Sequence, residues 1–393
     1  MLTLLELVQL ERSYRTGKAL TVYLDGRSPD PAQRTAWRRA LNHALAEVRD
    51  TLHDAPRAER EAFARCVEEM EESLAEHDGA LRARGWVGFF PEEGVAHTEA
   101  LPVDVPLIVA WGDGIRVAPY IRALKQHQPA IVALVDSRMA RVHRFAHGML
   151  EEVETLRAHA HVGPAEHMGY PPRQGFHTGT RGSAGSDASD RELRAATADM
   201  LRTLADRLTT LAGSDGWILL AGIPEVVSDA MSAMPIRLER RVRRLEHLDI
   251  HATRAQIAQA VEAGAREARR EYDLARVTDL LERHAAGGHG VAGFPLTHEA
   301  LHEHAVETLY FSGEFLAAHP GGAELLVRAA FDERIRPEYV SGPAATRLDD
   351  EAGGVGASLR FVSMRKRPPV RAGGPYPAPE VVHDHSTSQE LSS

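Results

Sequence analysis

Two short apolar runs, AIVALV at 130–135 and WILLAG at 217–222, stand on either side of an amphipathic segment at 191–212. Runs of this length are strands, and apolar residues three and four apart make the segment between them a helix. After AIVALV comes a turn and an alternating run, through Phe145, so the two halves read as a hairpin. After WILLAG comes a second helical stretch, EVVSDAMSAM. Hairpin, helix, strand and helix cannot each bury an apolar face alone, so together they require one α/β layer structure. The glycine- and serine-rich loop at 171–190 falls inside this sequence and is therefore an excursion from a domain rather than a linker between domains.

The rest of the chain has the same mixed character. ALTVYLDGR (19–27) alternates as a strand, and residues 31–86 form two antiparallel helices broken near Pro56. WVGFFPEEGVAHTEAL and VPLIVAWGDG add short strands. A long helix at 254–285 opens a third unit, which continues with a helix at 297–305, strand VETLYFSG, helix AELLVRAAFDE (323–333) and strand IRPEYVSG. The fold class is α/β, with three mixed domains at 1–128, 129–253 and 254–362, the last an α/β/α sandwich, and a disordered tail at 363–393.

Composition narrows the function classes. A single cysteine, Cys66, excludes an intrachain disulfide, and no apolar run approaches a membrane span, which points to a soluble cytoplasmic protein that does not engage membranes. The net charge of −10 argues against a coat of nucleic acid over the whole surface. Basic charge is nevertheless clustered, in RLERRVRR (237–244) and RKRPPVR (365–371), and only Lys18, Lys125 and Lys366 are lysines. Arg237, Arg240, Arg241, Arg243 and Arg244 are candidate RNA contacts, while Leu238, Val242 and Leu245 give that run a face that packs. Twenty-one histidines, His159 and His161 among them, come without a cysteine pair or an HExxH motif, so neither a metal nor a cofactor is assigned. Asp349, Asp350 and Glu351 read as a solvated turn. GGHGVAG lacks the lysine of a phosphate-binding loop.

Two separated motifs carry a resemblance. HEALHEHAVETLYFSG, with Ala305, Val306, Glu307, Thr308 and Leu309 in its strand, is followed by RLDDEAGGVGASLRF, with Gly353, Gly354, Val355, Gly356, Ala357, Leu359, Arg360 and Phe361. Together they resemble the C-terminal domain of the archaeal and eukaryotic class-one peptide-chain release factors and of Pelota. The order of the preceding units is also similar, and the chain is identified as a bacterial member of that superfamily, in the group that includes the hibernation factor Balon. The resemblance implies a monomeric protein that binds ribosomal RNA at the A site, in hibernation or in handling stalled ribosomes, with elongation factor Tu as a possible partner.

In release factors the middle-domain loop carries Gly-Gly-Gln, which positions water against the peptidyl-tRNA ester. Here Gly-Gly-Gln is absent and the loop offers Arg173-Gln174-Gly175, so no catalytic residue is assigned. No counterpart of the Asn-Ile-Lys-Ser stop-codon loop is present either. The loop residues Arg173, Gln174, Gly175, His177, Arg181 and Arg191 are the candidate RNA contacts, with Asp187 and Asp190 as caps of the helix that follows. Two rival readings stay open: a peptidyl-tRNA hydrolase acting in rescue through Gln174, and a stress-related RNA-binding protein that acts off the ribosome.

Overall fold

Strand β1 (Lys18–Asp25) sits inside a four-stranded antiparallel sheet, and its six inner residues are all buried instead of alternating. The reason is that both faces are covered. Leu20, Val22 and Leu24 pack beneath α2 (Ala36–Thr51) and α3 (Arg57–Ala75), whereas Ala19 and Tyr23 belong to a core on the opposite face. Pro56 separates the two helices, standing at the N-cap of α3 where no N–H is needed. The sheet runs β3-β2-β1-β4, with β2 at Gly85–Pro91, β3 at His97–Leu101 and β4 at Ile108–Asp113. Helices α1 (Leu4–Ser13) and α4 (Ala118–His127) bracket it in sequence. The computed structural model describes Met1 to Phe361 apart from residues 28–34, 78–80, 82, 147, 160–182 and 214; for 183–190 it describes the backbone alone.

The middle sheet runs β7-β6-β5-β8-β9. The expected hairpin is present as β5 (Ala130–Val135) and β6 (Met139–Ala146), and a third antiparallel strand, β7 (Met149–Arg157), extends it. Strand β8 (Trp217–Gly222) lies parallel to β5, and β9 (Val242–Arg244) parallel to β8. Every residue of β5 is buried because odd and even positions face different layers. Ile131, Ala133 and Val135 meet α5 (Ser183–Ala212) and α6 (Pro224–Ser232); Ala130, Val132 and Leu134 meet α7 (Arg254–Ala285). The run AIVALV thus has a physical cause, a strand apolar on both faces between helix layers. Helix α5 begins at Ser183, eight residues before the position read from the sequence. Asp187 and Asp190 therefore lie within the helix rather than capping its start.

The third sheet, β10-β13-β11-β12, is also sandwiched between helices. It comprises β10 (Gly290–Ala292), β11 (Val306–Phe311), β12 (Arg336–Tyr339) and β13 (Val355–Leu359). One face is covered by α8 (Phe294–His302), which starts three residues earlier than the sequence reading, by α9 (Gly313–Ala318) and by α10 (Pro320–Asp332). The other is covered by the last turns of α7 and by α11 (Pro343–Ala352). Asp349, Asp350 and Glu351 belong to α11, not to a solvated turn. The Ser312 hydroxyl donates to Asp349 Oδ1, and Arg347 pairs with Glu351 at 2.8 Å. Gly353 and Gly354 then reverse the chain with φ of 60° and 81°. A Cβ on Gly354 would stand 2.7 Å from Asp349 Oδ1 and 2.8 Å from Ser312 Oγ, so this turn into β13 requires glycine.

The first and third sheets share one continuous apolar core, which includes Tyr23, Phe89 and Tyr120 on one side and Phe311, Leu326 and Phe331 on the other. A polar seam runs beside it. Glu324 of α10 is 2% exposed and accepts from the backbone N–H groups of Val117 (2.9 Å) and Ala118 (3.1 Å), at the start of α4. Pro119 follows with no N–H, so Glu324 takes the two donors that the helix itself leaves free. Arg328, one turn along α10, donates to the Asp113 and Ile115 carbonyls and lies between Glu324 and the buried Glu11. Burial pushes the Glu324 carboxyl above its ordinary value, against the opposing pull of the Val117 and Ala118 N–H groups and of Arg328. Glu324→Ala should lower unfolding stability by roughly 3 kcal/mol, because two buried donors lose their acceptor. Glu324→Gln, which keeps an acceptor oxygen, should lose only about 1 kcal/mol; urea unfolding of the two variants checks the difference.

Candidate functional site

The middle sheet positions what the sequence singled out. Residues Arg173, Gln174, Gly175, His177 and Arg181 lie outside the described residues, as does His161; they fall between the end of β7 and the start of α5. Arg191 is described and exposed, on α5 rather than on a loop. Beside the point where the chain leaves β7, a cleft of about 490 Å³ is lined by Thr155, Arg157 and His159 from one side and by Asp199, Met200 and Thr203 of α5 from the other. No sequence pattern marks this cleft, because its walls lie about forty residues apart along the chain.

The arginine run separates into two groups. Residues 236–241 make a short 3-10 turn in which Leu238 is buried, and Val242 enters the sheet, also buried. That is the packing face expected from the apolar spacing. Arg243 and Arg244 are half-buried and face carboxylates: Arg243 Nε is 3.6 Å from Glu271 and Arg244 Nε is 3.2 Å from Glu246. Arg237 and Arg240 are exposed, Arg241 is half-buried, and none of the three has a carboxylate partner among the described residues. Next to them Ile236 is 86% exposed. Three uncompensated guanidinium groups beside an exposed isoleucine can meet a phosphate backbone; the paired Arg243 and Arg244 are already committed.

A polar junction that sequence reasoning missed lies where α7 passes from the middle sheet to the third. The first half of α7, through Ala268, covers the middle sheet, and its last turns, from Val277, cover the third. Asp273 lies between the two stretches. Lys125 of α4 donates to Asp273 Oδ1 at 2.8 Å and to Glu338 Oε2 of β12 at 3.2 Å, with side chains 10%, 5% and 20% exposed respectively. Burial alone would push the Lys125 ammonium down, but Glu338 and Asp273 outweigh it and hold it above its ordinary value. Arg336 of β12 pairs with Asp215, just before β8, and with Glu338 at 2.9 Å. Arg269 donates to the Gln128 carbonyl at 2.6 Å, where α4 gives way to β5. A cavity of about 270 Å³ opens here, lined by Leu2, Lys125, Gln128, Asp215, Arg336 and Tyr339 among others. The partners are up to 213 residues apart, and the only sequence signal was that Lys125 is one of three lysines in an arginine-rich chain.

Residues 116–266 match the family model of bacterial archaeo-eukaryotic release factor family 10. The match begins at α4, spans the middle sheet and ends where α7 is about to leave that sheet, so it encloses this structural unit. Among solved structures, the chain is similar to an archaeal translation termination factor, aRF1, at 14% identity, covering 92% of this chain and 99% of that one, with a TM-score of 0.26. It is similar to Dom34 of S. cerevisiae at 7% identity over 69% of this chain and 75% of that one, with a TM-score of 0.44. It is also similar to the archaeal Pelota of a ribosome-bound model with ABCE1, at 15% identity over 92% and 94% and a TM-score of 0.41. No curated protein matches in sequence. Over residues 116–266, then, the chain is similar to a bacterial family of the archaeo-eukaryotic release-factor type.

The junction makes a thermodynamic prediction. Lys125→Met should lower unfolding stability by about 3–5 kcal/mol, since it removes the salt-bridge partner of the buried Asp273 and leaves Glu338 with Arg336 alone. Adding Asp273→Asn should recover part of that loss, a non-additivity that a double-mutant cycle measures directly. On the arginine surface, reversing Arg237, Arg240 and Arg241 to glutamate should leave stability within about 0.5 kcal/mol, because none of them is paired among the described residues. Under the RNA-contact reading proposed below, the same triple variant should bind ribosomal RNA at least tenfold more weakly than wild type, with a shallower salt dependence. Filter binding across a salt series reads both effects.

Proposed function

We propose that this protein is a ribosome-associated factor of the release-factor type that occupies the A site without releasing the nascent peptide, in hibernation or in the handling of stalled ribosomes. The observation that carries the reading is the family match over the middle unit, the unit that in release factors brings a loop to the peptidyl-tRNA ester. Gly-Gly-Gln occurs nowhere in the sequence. Without it the segment at 171–182 has charge and hydrogen-bonding groups suited to RNA, from Arg173, Gln174, His177 and Arg181, but not the glycine pair and glutamine that hold water at the ester. Arg191 on α5, with Arg237, Arg240 and Arg241, which have no carboxylate partner among the described residues, adds further basic groups. Elongation factor Tu is the partner this reading adds.

The test is co-sedimentation of the full chain with vacant 70S ribosomes, with and without elongation factor Tu. Binding is expected, and replacing residues 171–182 by a short glycine linker should weaken it about tenfold or more, a loss of roughly 1.4 kcal/mol or above. Programmed ribosomes carrying peptidyl-tRNA should keep their peptide. Peptide release that disappears in Gln174→Ala would replace this reading with a rescue hydrolase. Failure to pellet under both conditions, together with salt-sensitive binding to free RNA, would place the protein off the ribosome.

A further inference from the structure

Helix α8 turns Thr297, Ala300 and Leu301 into the core of the third unit and leaves His298 and His302, four residues apart, on its outer side. One helical turn brings such a pair side by side, and their Nε2 atoms are 3.2 Å apart. Two imidazole nitrogens bound to one metal at the usual bond length are about 2.9 Å apart at a right angle and about 3.4 Å apart at the tetrahedral angle. The observed separation lies between these. The rings are nearly perpendicular, at 82° with centroids 4.4 Å apart, so they share an edge rather than stack.

Two further features favour a ligand pair over two incidental histidines. His298 is held in place: its ring stacks on Phe294 at 5.8 Å and 14°, and Phe294 in turn packs against the buried Phe315 at 6.2 Å. Neither imidazole has another hydrogen-bond partner among the described residues, so their ring nitrogens are committed only to each other. His304, by contrast, is taken up by Glu333 at 2.6 Å.

We propose that His298 and His302 form a chelating site for a borderline divalent transition metal, of the Zn²⁺, Ni²⁺ or Cu²⁺ kind, on the outer face of the third unit. Imidazole selects these ions; Mg²⁺ and Ca²⁺ take oxygen ligands and are not bound there. Among the described residues no third histidine, cysteine or carboxylate joins the pair. The remaining coordination positions belong to water, so the ion exchanges freely and its affinity is moderate.

Calorimetric titration of the full chain with ZnCl₂ tests this, with His302→Ala as the main variant. His302 is exposed, so the variant should fold, which circular dichroism checks. Any zinc taken up by other histidines of the chain is common to both proteins, so the signal is the difference between isotherms: one binding event should weaken at least tenfold in His302→Ala. Phe294→Leu, which keeps both imidazoles and removes the ring that fixes His298, should weaken the same event several-fold. MgCl₂ should produce no such event. Superimposable isotherms for wild type and His302→Ala would overturn the site and leave the pair as an N–H···N hydrogen bond between neutral rings. A response to Mg²⁺ that is equally lost in His302→Ala would overturn the assigned metal class.

Discussion

The Glu324 carboxylate, fully buried and bonded to the start of α4, is the contact on which the arrangement of the chain depends. Apolar packing between the first and third sheets is extensive but has no preferred direction, since aromatic and aliphatic surfaces slide at little cost. A carboxylate that must meet two N–H groups of one helix end, with Arg328 reaching the carbonyls just before it, allows one placement. Helix α4 is thereby aimed, and Lys125 near its far end reaches Asp273 and Glu338.

From that point α7 transmits the arrangement. Its 32 residues form one wall shared by two sheets, with small residues such as Ala265 and Ala268 close against the middle sheet and Leu280 and Leu281 against the third. At the crossover the apolar stripe is interrupted by Asp273, and the surroundings are polar: Lys125, Glu338, Arg336 and Arg276, the last bonded to Tyr310 at 2.9 Å. Burying ions in this way contributes little net stability compared with an apolar filling, and its effect is to penalise any other placement of the elements. The middle unit therefore meets the rest through paired charges rather than through a continuous core, whereas the first and third units share one. The histidine pair on α8 belongs to the third unit and depends on none of these contacts.

Much of this was legible in the sequence, and for definite reasons. Fully apolar strands such as AIVALV imply cover on two faces, and the helix at 254–285 was visible from end to end, because its pattern and its capping threonine, Thr253, are local. The glycine pair at 353–354 marked a reversal that only glycine accommodates. Strand β7 was missed because it is an edge strand with most of its side chains in solvent, Glu151 and Glu152 among them, which hides the alternation. The start of α5 was placed late because glycine and serine at 183–190 are weak helix formers, and propensity gave way to the extension of a long helix.

Local chemistry along the chain thus determined the α/β class, the sequence of elements, the missing Gly-Gly-Gln and the family resemblance in AVETL and GGVGASLRF. Which arginines of 237–244 lack a carboxylate partner among the described residues was decided partly in three dimensions: Arg244 meets the nearby Glu246, but Arg243 is claimed by Glu271 of α7, 28 residues on. The Lys125–Asp273–Glu338 triad and the capping of α4 by Glu324 join residues up to 213 positions apart, and no periodicity or spacing encodes contacts at that range. Even the histidine pair, four residues apart and plain in HEALHEH, gains meaning only from Phe294 and Phe315, which fix one ring where the other can meet it.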